Sequence, residues 1–247
     1  FLRYMARLGI PCYIPIYPRK PKNLYVPYIF SEEELKKIFK AADELMFVRR
    51  NFKCGIFSIP VLLRLLYSTG MRIGEACSLI NSDVDMSSRI ILVRNTKNKR
   101  DRQLPISDSL YQVLEQYLIK RDKLPLHNMG NPNSPFLISL DGSSLTGVSA
   151  RHWFYKILEA SDIDYIPKVG PRIHDLRHTF AVHVLDKLVK EGVDMHCCLP
   201  VLSMALGHKC VSDTEYYVRI TNQVYPHLSD TTSAISEYVF PTISTMK

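Results

Sequence analysis

The sequence predicts an α+β fold that is mostly α-helical and contains one small antiparallel sheet. In most segments, apolar residues recur at the spacing of a helix face. Two short apolar runs, Arg89–Asn95 and Arg102–Ile106, flank a polar stretch as the strands of a hairpin do. Hydrophobic residues make up 46% of the chain and charged residues 23%, which is the balance of a protein with a packed core.

The first 29 residues differ from the rest. Residues 2–8 can form the end of a helix, whereas prolines at positions 11, 15, 18 and 21 disfavour helix and favour an extended strap. The strap is basic, with Arg19, Lys20 and Lys22. Because the chain begins with Phe1 rather than Met, we expect an upstream region and interpret residues 1–29 as the end of that region and a linker.

A compact domain is predicted to begin near residue 30. Ser31 and Glu34 have the spacing of a capping box, in which each side chain binds the backbone amide of the other residue. Phe30 and Leu35 stand where a hydrophobic staple would close the helix entry. This domain is expected to span residues 30–219, followed by a tail over 220–247.

The remaining elements follow from periodicity and breakers. An apolar helix over 59–69 should end at Gly70, and a short helix over 72–79 precedes the hairpin. Further helices are predicted over 108–121, 149–160, 174–191, 199–206, 212–219 and about 227–239.

Composition narrows the function classes. The chain has 32 Lys and Arg against 24 Asp and Glu, and this excess of positive charge favours a polyanionic partner such as nucleic acid. No apolar run is long enough to span a bilayer, and no secretory signal opens the sequence. The six cysteines show no CxxC pair, so we expect reduced thiols in a cytoplasmic protein. Histidine spacing indicates no metal site, and no cofactor is expected.

Three motifs carry possible chemistry. In His174-Asp-Leu-Arg-His, helical spacing places His174, Arg177 and His178 on one face, where a guanidinium fork can bind phosphate oxygens. Leu176, Phe180, Val184 and Leu188 should then bury the opposite face. An ordinary surface helix with a chance His–Arg pair would look the same.

The second motif is Ser68-Thr-Gly-Met-Arg-Ile-Gly-Glu, in which Glu75 follows Arg72 at i+3 and can orient its guanidinium. An exposed ion pair at a helix corner is the alternative. In the third motif, Gly207 indicates a helix end that holds His208 in a turn, before Ser212-Asp-Thr-Glu-Tyr-Tyr. Composition alone cannot select a nucleophile among 14 tyrosines.

In this order, the motifs resemble the tyrosine recombinase (phage integrase) family over roughly residues 25–225. In that family the nucleophile usually lies nine residues after the histidine of LGH, which selects Tyr217 and leaves Tyr216 as a neighbouring core position. The family's hairpin lysine usually lies eight residues before the proline that ends the second strand, which selects Lys97, with Lys99 as the competitor. A longer segment at 186–202 is similar to transposon-borne integrases.

The resemblance implies a mechanism. Arg72 and Arg177 would clamp the phosphate, and His174 would bind it and help accept the phenol proton. Lys97 would protonate the leaving 5′-hydroxyl, and His208 would contact the phosphate or the leaving oxygen. Tyr217 would form a 3′-phosphotyrosine bond without ATP. Glu75 and His178 would support this set.

The resemblance also implies double-stranded DNA as partner and a tetramer of full-length chains. Ahead of residue 30 it implies a helical core-binding domain. In this chain, the basic linker residues Arg19, Lys20 and Lys22 and the hairpin residues Lys99 and Arg100 would contact DNA. The tail over 220–247 would dock into a neighbouring subunit or fold back on its own domain. A type IB topoisomerase and a DNA-binding protein without catalysis remain alternatives.

Overall fold

The computed structural model describes residues 2–13, 26–45, 55–94, 101–166 and 170–224. This part of the chain is mostly helical with one three-stranded sheet, which confirms the predicted fold class. Its helices are α1 (Leu2–Arg7), α2 (Glu32–Asp43), α3 (Ile59–Thr69), α4 (Ile73–Cys77), α5 (Asp108–Arg121), α6 (Gly147–Ala160), α7 (Asp175–Lys190), α8 (Met195–Leu206) and α9 (Ser212–Val224). Its strands are β1 (Val84–Asp85), β2 (Ile90–Val93) and β3 (Arg102–Pro105).

Helix α2 begins with the capping box that the sequence predicts. The Glu34 amide donates to Ser31 Oγ at 3.2 Å, and the Ser31 amide donates to Glu34 Oε2 at 2.7 Å. Phe30 and Leu35 are buried on either side of the cap. The domain entry is therefore fixed locally, and the Phe30 amide also donates to Thr179 Oγ1 on α7 at 3.0 Å.

Helix α3 ends where glycine allows the chain to turn. Gly70 caps it in the left-handed region, with φ of 63°, as predicted. The turn lies directly against α7, because a Cβ added at Gly70 would come within 2.4 Å of Phe180 Cδ1. This close approach brings the following Arg72 next to the start of α7.

The predicted hairpin is confirmed by the antiparallel pairing of β2 and β3, in which Ile91 faces Leu104. Strand β1 extends the sheet in the order β1-β2-β3 and was not predicted, because two residues are too short to give a period. Ile91, Val93 and Leu104 bury one face of the sheet in the core.

The predicted pattern of α7 is wrong in one respect. Phe180, Val184 and Leu188 are only half-buried, whereas Arg177 is buried, with 3% of its surface exposed. Helix α7 packs against α3, α8 and α9 rather than lying on the surface. The polar face of α7 therefore points into the interior of the domain. The alternative of an ordinary surface helix with a chance His–Arg pair is wrong.

Several boundaries also differ. Helix α8 begins at Met195, before the predicted residue 199, and α9 continues past residue 219 to Val224. Helix α4 begins at Ile73, so that Arg72 is its N-cap rather than its first residue. The predicted helix over 227–239, like the tail beyond 224, lies outside the described residues. Among the described helices, none is long and apolar enough to cross a membrane.

Candidate active site

Arg177 connects two turns in the interior of the domain. Its Nη1 donates to the Gly70 carbonyl at 2.7 Å, and its Nη2 donates to the Leu206 carbonyl at 2.7 Å. Burial lowers the pKa of Arg177 to about 10, so the guanidinium stays positively charged at neutral pH. Each terminal nitrogen carries a second hydrogen that can bind an anion.

Arg72 contacts the second of these turns, the one that follows α8. Its Nη1 binds Glu75 Oε1 at 2.9 Å, and its Nη2 lies 3.3 Å from the Gly207 carbonyl oxygen. The Arg72 amide also donates to Glu75 Oε2 at 2.8 Å, closing a cap at the start of α4. The predicted orientation of Arg72 by Glu75 is thus present in the structure.

The exposed part of Arg72 borders an open cleft of about 430 Å³. The side chain of Arg72 is 28% exposed, and that of Arg177 lies deeper. The positive side chains of Arg72 and Arg94 on this cleft, beside His174, favour an anionic ligand. The residues lining the cleft are Arg72, Ile73, Gly74, Glu75, Ser78, Arg94 and His174.

Three imidazoles surround the arginines, and each is neutral at pH 7. Burial and the charge of Arg177 lower the pKa of His174 to about 4 and that of His208 to about 4. Burial and the neighbouring His174 lower the pKa of His178 to about 3. The rings of His174 and His178 pack edge to face with centroids 5.0 Å apart.

Tyr217 lies inside this cluster and Tyr216 does not. Tyr217 is 3% exposed and its hydroxyl lies 3.0 Å from His178 Nδ1, whereas Tyr216 is 42% exposed. The prediction that Tyr216 occupies the core position is therefore wrong, because α9 turns Tyr217 towards α7. Burial raises the pKa of Tyr217 and the positive charge of Arg177 opposes that rise.

His208 is held by the turn after α8, as its glycine predicts. Gly207 has φ of 66°, and the His208 amide donates to the Ser203 carbonyl at 3.0 Å. The His208 ring lies parallel to that of Tyr217, with centroids 6.0 Å apart. Its Nδ1 shares a hydrogen bond of 2.8 Å with Thr214 Oγ1.

Sequence reasoning missed two polar residues of this cluster. Thr214 is fully buried and lies three residues before Tyr217, on the same face of α9. Arg102 binds Glu75 and the Ala205 carbonyl, and its side chain is 10% exposed. Its position two residues before the buried Leu104 is the available signal, because an inward-facing charge on a strand needs a partner.

The structure thus brings Arg72, Glu75, His174, Arg177, His178, His208 and Tyr217 into one cluster. The predicted hairpin residues Lys97, Lys99 and Arg100 lie outside the described residues. The predicted linker residues Arg19, Lys20 and Lys22 also lie outside them.

The cluster combines a buried phenol, two guanidinium groups and three neutral imidazoles on a mostly helical α+β domain. A phenol among such groups can act as a nucleophile on a phosphodiester. The fold is that of tyrosine recombinase catalytic domains. The chain belongs to the phage integrase family, whose model matches residues 29–223.

Relatives at about 30% identity are named as integrases or recombinases. The integrase/recombinase y4rB of Sinorhizobium fredii is 31% identical over 88% of this chain and 70% of its own length. Tyrosine recombinase XerA of Pyrococcus horikoshii is 30% identical over 83% of this chain and 61% of its own length. The chain therefore spans roughly three fifths to seven tenths of these relatives.

Solved structures share the fold at lower identity. The XerH site-specific recombinase bound to its palindromic difH substrate matches with a TM-score of 0.62 and 23% identity, over 90% of this chain and 60% of that one. The Tn1549 transposon integrase in complex with transposon right end DNA has a TM-score of 0.62 and 17% identity, over 91% of this chain and 75% of that one.

Proposed function

We propose that this chain is the catalytic part of a site-specific recombinase that cuts and rejoins double-stranded DNA through Tyr217. The observation that carries the proposal is the contact of the Tyr217 hydroxyl with His178, within a cluster that also contains Arg177, Arg72 and His208. A protein that only binds DNA has no use for a phenol beside a neutral imidazole at this position.

In the proposed reaction, the Tyr217 oxygen attacks a backbone phosphorus of DNA. The bond from phosphorus to the 5′-oxygen breaks, leaving a 3′-phosphotyrosine and a free 5′-hydroxyl. Reversal with another 5′-hydroxyl reseals a strand and releases Tyr217. The number of phosphoester bonds is unchanged at each step, so no ATP is needed.

The positive charge required by this reaction is present in the cluster. Charge gathers on the non-bridging phosphate oxygens in the transition state, and Arg72 and Arg177 would bind them. Arg72 reaches the open cleft, while Arg177 is fixed behind it by Gly70 and Leu206. A phosphate bound to Arg72 in the cleft would therefore approach the interior, where Tyr217 lies.

The proton steps divide between the histidines and the hairpin. We assign acceptance of the phenol proton to His178, because its Nδ1 lies 3.0 Å from the Tyr217 oxygen. His174 lines the cleft and would donate a hydrogen bond to the phosphate. Protonation of the leaving 5′-oxygen stays a prediction for Lys97, as does the contact of His208 with the phosphate or that oxygen.

The partner and setting follow from the same proposal. The recombinases XerH and Tn1549 integrase are bound to DNA in their structures, which supports double-stranded DNA as the partner here. A tetramer on DNA and a cytoplasmic location belong to the proposal as well. The division of the chain into domains at residues 30 and 219 stays a prediction. So do the DNA contacts of the linker and of the hairpin.

A nicked suicide substrate tests the function. Such a duplex loses a short fragment after cleavage, which traps the covalent adduct for denaturing electrophoresis. We expect an adduct with the wild-type chain and none with Tyr217→Phe, while Tyr216→Phe serves as the matched control and keeps it. DNA binding without any adduct would contradict the proposal and favour a non-catalytic binding protein.

A second assay separates recombination from strand relaxation. Two duplexes of different length that carry the same site should exchange flanks if the chain is a recombinase. Relaxation of supercoiled plasmid without exchange, still dependent on Tyr217, would favour the type IB topoisomerase alternative.

A further inference from the structure

We propose that Arg102 is a positioning residue for strand cleavage: through Glu75 it holds Arg72 in place, and through Ala205 it holds the turn that carries His208. This inference rests on the proposed function and adds a residue to its machinery. The contacts of Arg102 with the Glu75 carboxylate and with the turn at Gly207 support it.

Arg102 uses three nitrogen atoms in this arrangement. Its Nη2 donates to Glu75 Oε2 at 2.7 Å and its Nη1 donates to Glu75 Oε1 at 3.2 Å. Its Nε donates to the Ala205 carbonyl at 2.8 Å. The guanidinium is therefore bidentate towards the carboxylate and also fixes the end of α8, a combination that a lysine cannot reproduce.

Glu75 is shared between the two arginines. Both of its oxygens accept from Arg102, while Oε1 also accepts from the Arg72 guanidinium and Oε2 from the Arg72 amide. Burial alone would raise the pKa of Glu75, but these hydrogen bonds lower it to about 2. The carboxylate therefore stays charged at neutral pH, and four hydrogen bonds hold it against the two arginines.

The two arginines differ in exposure, which indicates different roles. The side chain of Arg72 is 28% exposed and borders the cleft, whereas that of Arg102 is 10% exposed and faces Glu75. Arg72 can therefore meet a phosphate, and Arg102 would act through Glu75. Without Arg102, the buried Glu75 would depend on Arg72 alone and compete with the phosphate for its guanidinium.

The turn at Gly207 gives Arg102 a second route to the site. A Cβ added at Gly207 would lie 2.8 Å from Arg102 Nη1, so the turn packs directly on the guanidinium. The Gly207 carbonyl also accepts from Arg72, and His208 follows immediately. Loss of Arg102 would leave the Ala205 carbonyl without this donor and loosen the position of His208.

Arg102 also begins the strand that follows residues 95–100, in which the predicted general acid Lys97 lies. The same side chain thus joins the hairpin strand to the phosphate clamp. A change at Arg102 should therefore slow the chemical step more than it weakens DNA binding.

The test measures single-turnover adduct formation at saturating suicide substrate. We expect Arg102→Gln to lower the rate about ten- to hundredfold, as small misplacements of catalytic groups do, with the DNA dissociation constant changed by less than about threefold. The rate of Arg102→Lys should lie between that of Arg102→Gln and that of the wild type. Arg121→Gln is the matched control, because the Arg121 side chain is also largely buried (4% exposed, against 10% for Arg102) but binds Asn81 and Phe136, which do not belong to the cluster. It should keep the wild-type rate per active molecule.

A neutral substrate distinguishes positioning from a general structural role. When one non-bridging oxygen of the scissile phosphate is replaced by a methyl group, the phosphate loses the charge that Arg72 would bind. We expect the defect of Arg102→Gln to shrink on this substrate, and to be non-additive with Glu75→Gln on the normal one.

Two results would overturn the inference: a wild-type rate for Arg102→Gln, or an equal defect on the charged and neutral substrates. Failure of the proposed function would look different, because the wild-type chain itself would then form no adduct at Tyr217.

Discussion

His178 Nδ1 and the Tyr217 hydroxyl oxygen lie 3.0 Å apart, between helices α7 and α9. The imidazole is neutral at pH 7, because burial and His174 lower its pKa to about 3. In the tautomer with its proton on Nε2, Nδ1 accepts the hydrogen bond from the phenol. The nucleophile is thus hydrogen-bonded to a neutral imidazole before any phosphate is present, and the negative charge of a bound phosphate would raise the low pKa of His178 and strengthen it as a base.

The first prediction concerns this pair. His178→Gln should lower the rate of covalent adduct formation by roughly 10²- to 10⁴-fold, the usual contribution of a general base. The matched control is His152→Gln, an exposed histidine on α6, which should keep the wild-type rate. Quenched-flow electrophoresis on the suicide substrate gives both rates. An unchanged rate for His178→Gln would move the proton acceptor elsewhere.

The second prediction concerns Arg177. A lysine there can reach only one of the Gly70 and Leu206 carbonyls, and the other buried acceptor then costs about 1–3 kcal/mol of unfolding free energy. Arg177→Lys should also slow adduct formation by about 10²- to 10³-fold, the cost of losing a transition-state donor. Urea unfolding and adduct assays measure the two effects.

Arg121→Lys is the control for this buried position, since Arg121 binds Asn81 Oδ1 at 2.7 Å and the Phe136 carbonyl rather than any residue of the cluster. We expect lower stability but an unchanged rate per folded molecule. A full rate for Arg177→Lys would argue that this arginine is only structural.

The third prediction is a loss of stability in acid. His174, His178 and His208 have folded pKa values of about 4, 3 and 4, below the ordinary value of 6.5. The unfolded chain therefore binds more protons than the folded chain below pH 6.5, and the free energy of unfolding should fall as pH decreases from 6.5 to 4. Urea midpoints at pH 7.5, 6 and 5 measure this slope.

Replacing one of these histidines should flatten the slope. His178→Asn is expected to lose less stability than the wild type between pH 6.5 and 5, whereas His152→Asn should retain the wild-type slope. Identical slopes in all three proteins would show that His178 titrates normally in the folded state.

The fourth prediction concerns the turn at Gly70. Gly70→Ala would place a side chain at φ of 63° and a Cβ 2.4 Å from Phe180 Cδ1. Left-handed strain costs about 1–2 kcal/mol and overpacking typically adds about 1–3 kcal/mol, so the unfolding free energy should fall by several kcal/mol. Thermal unfolding measures the change.

Gly74 is the matched control on the neighbouring helix α4. A Cβ there meets no atom within 4 Å, and its φ lies outside the left-handed range. Gly74→Ala should leave stability unchanged or raise it by about 0.5–1 kcal/mol. Equal destabilisation by both substitutions would contradict the account of Gly70.

The sequence predicts the elements with strong local signals. Ser31 with Glu34 fixes the start of α2, and Gly70 fixes the end of α3, because both signals act within one turn of helix. The hairpin follows from two apolar runs around a polar loop. The resemblance to the phage integrase family, applied through its motif spacing, also selects the residues that fold into the cluster, from Arg72 to Tyr217.

Burial was harder to predict because it depends on contacts between distant segments. Arg177 has the sequence context of a surface residue, and its burial arises only when α7 is enclosed by α3, α8 and α9. The orientation of α9, which exposes Tyr216 and buries Tyr217, has the same origin. Strand periodicity can indicate that Arg102 faces inward, but not its partners Glu75 and Ala205, because both are far from it in the chain.

The three-stranded sheet has one further consequence, for association between molecules. Its outer strand β1 has two residues, and the opposite outer strand β3 has four and ends in Pro105, which carries no amide hydrogen. Within the part of the sheet that the structure describes, each rim therefore offers a second chain very few backbone groups to pair with. Copies held at high local concentration should therefore resist joining their sheets into aggregates.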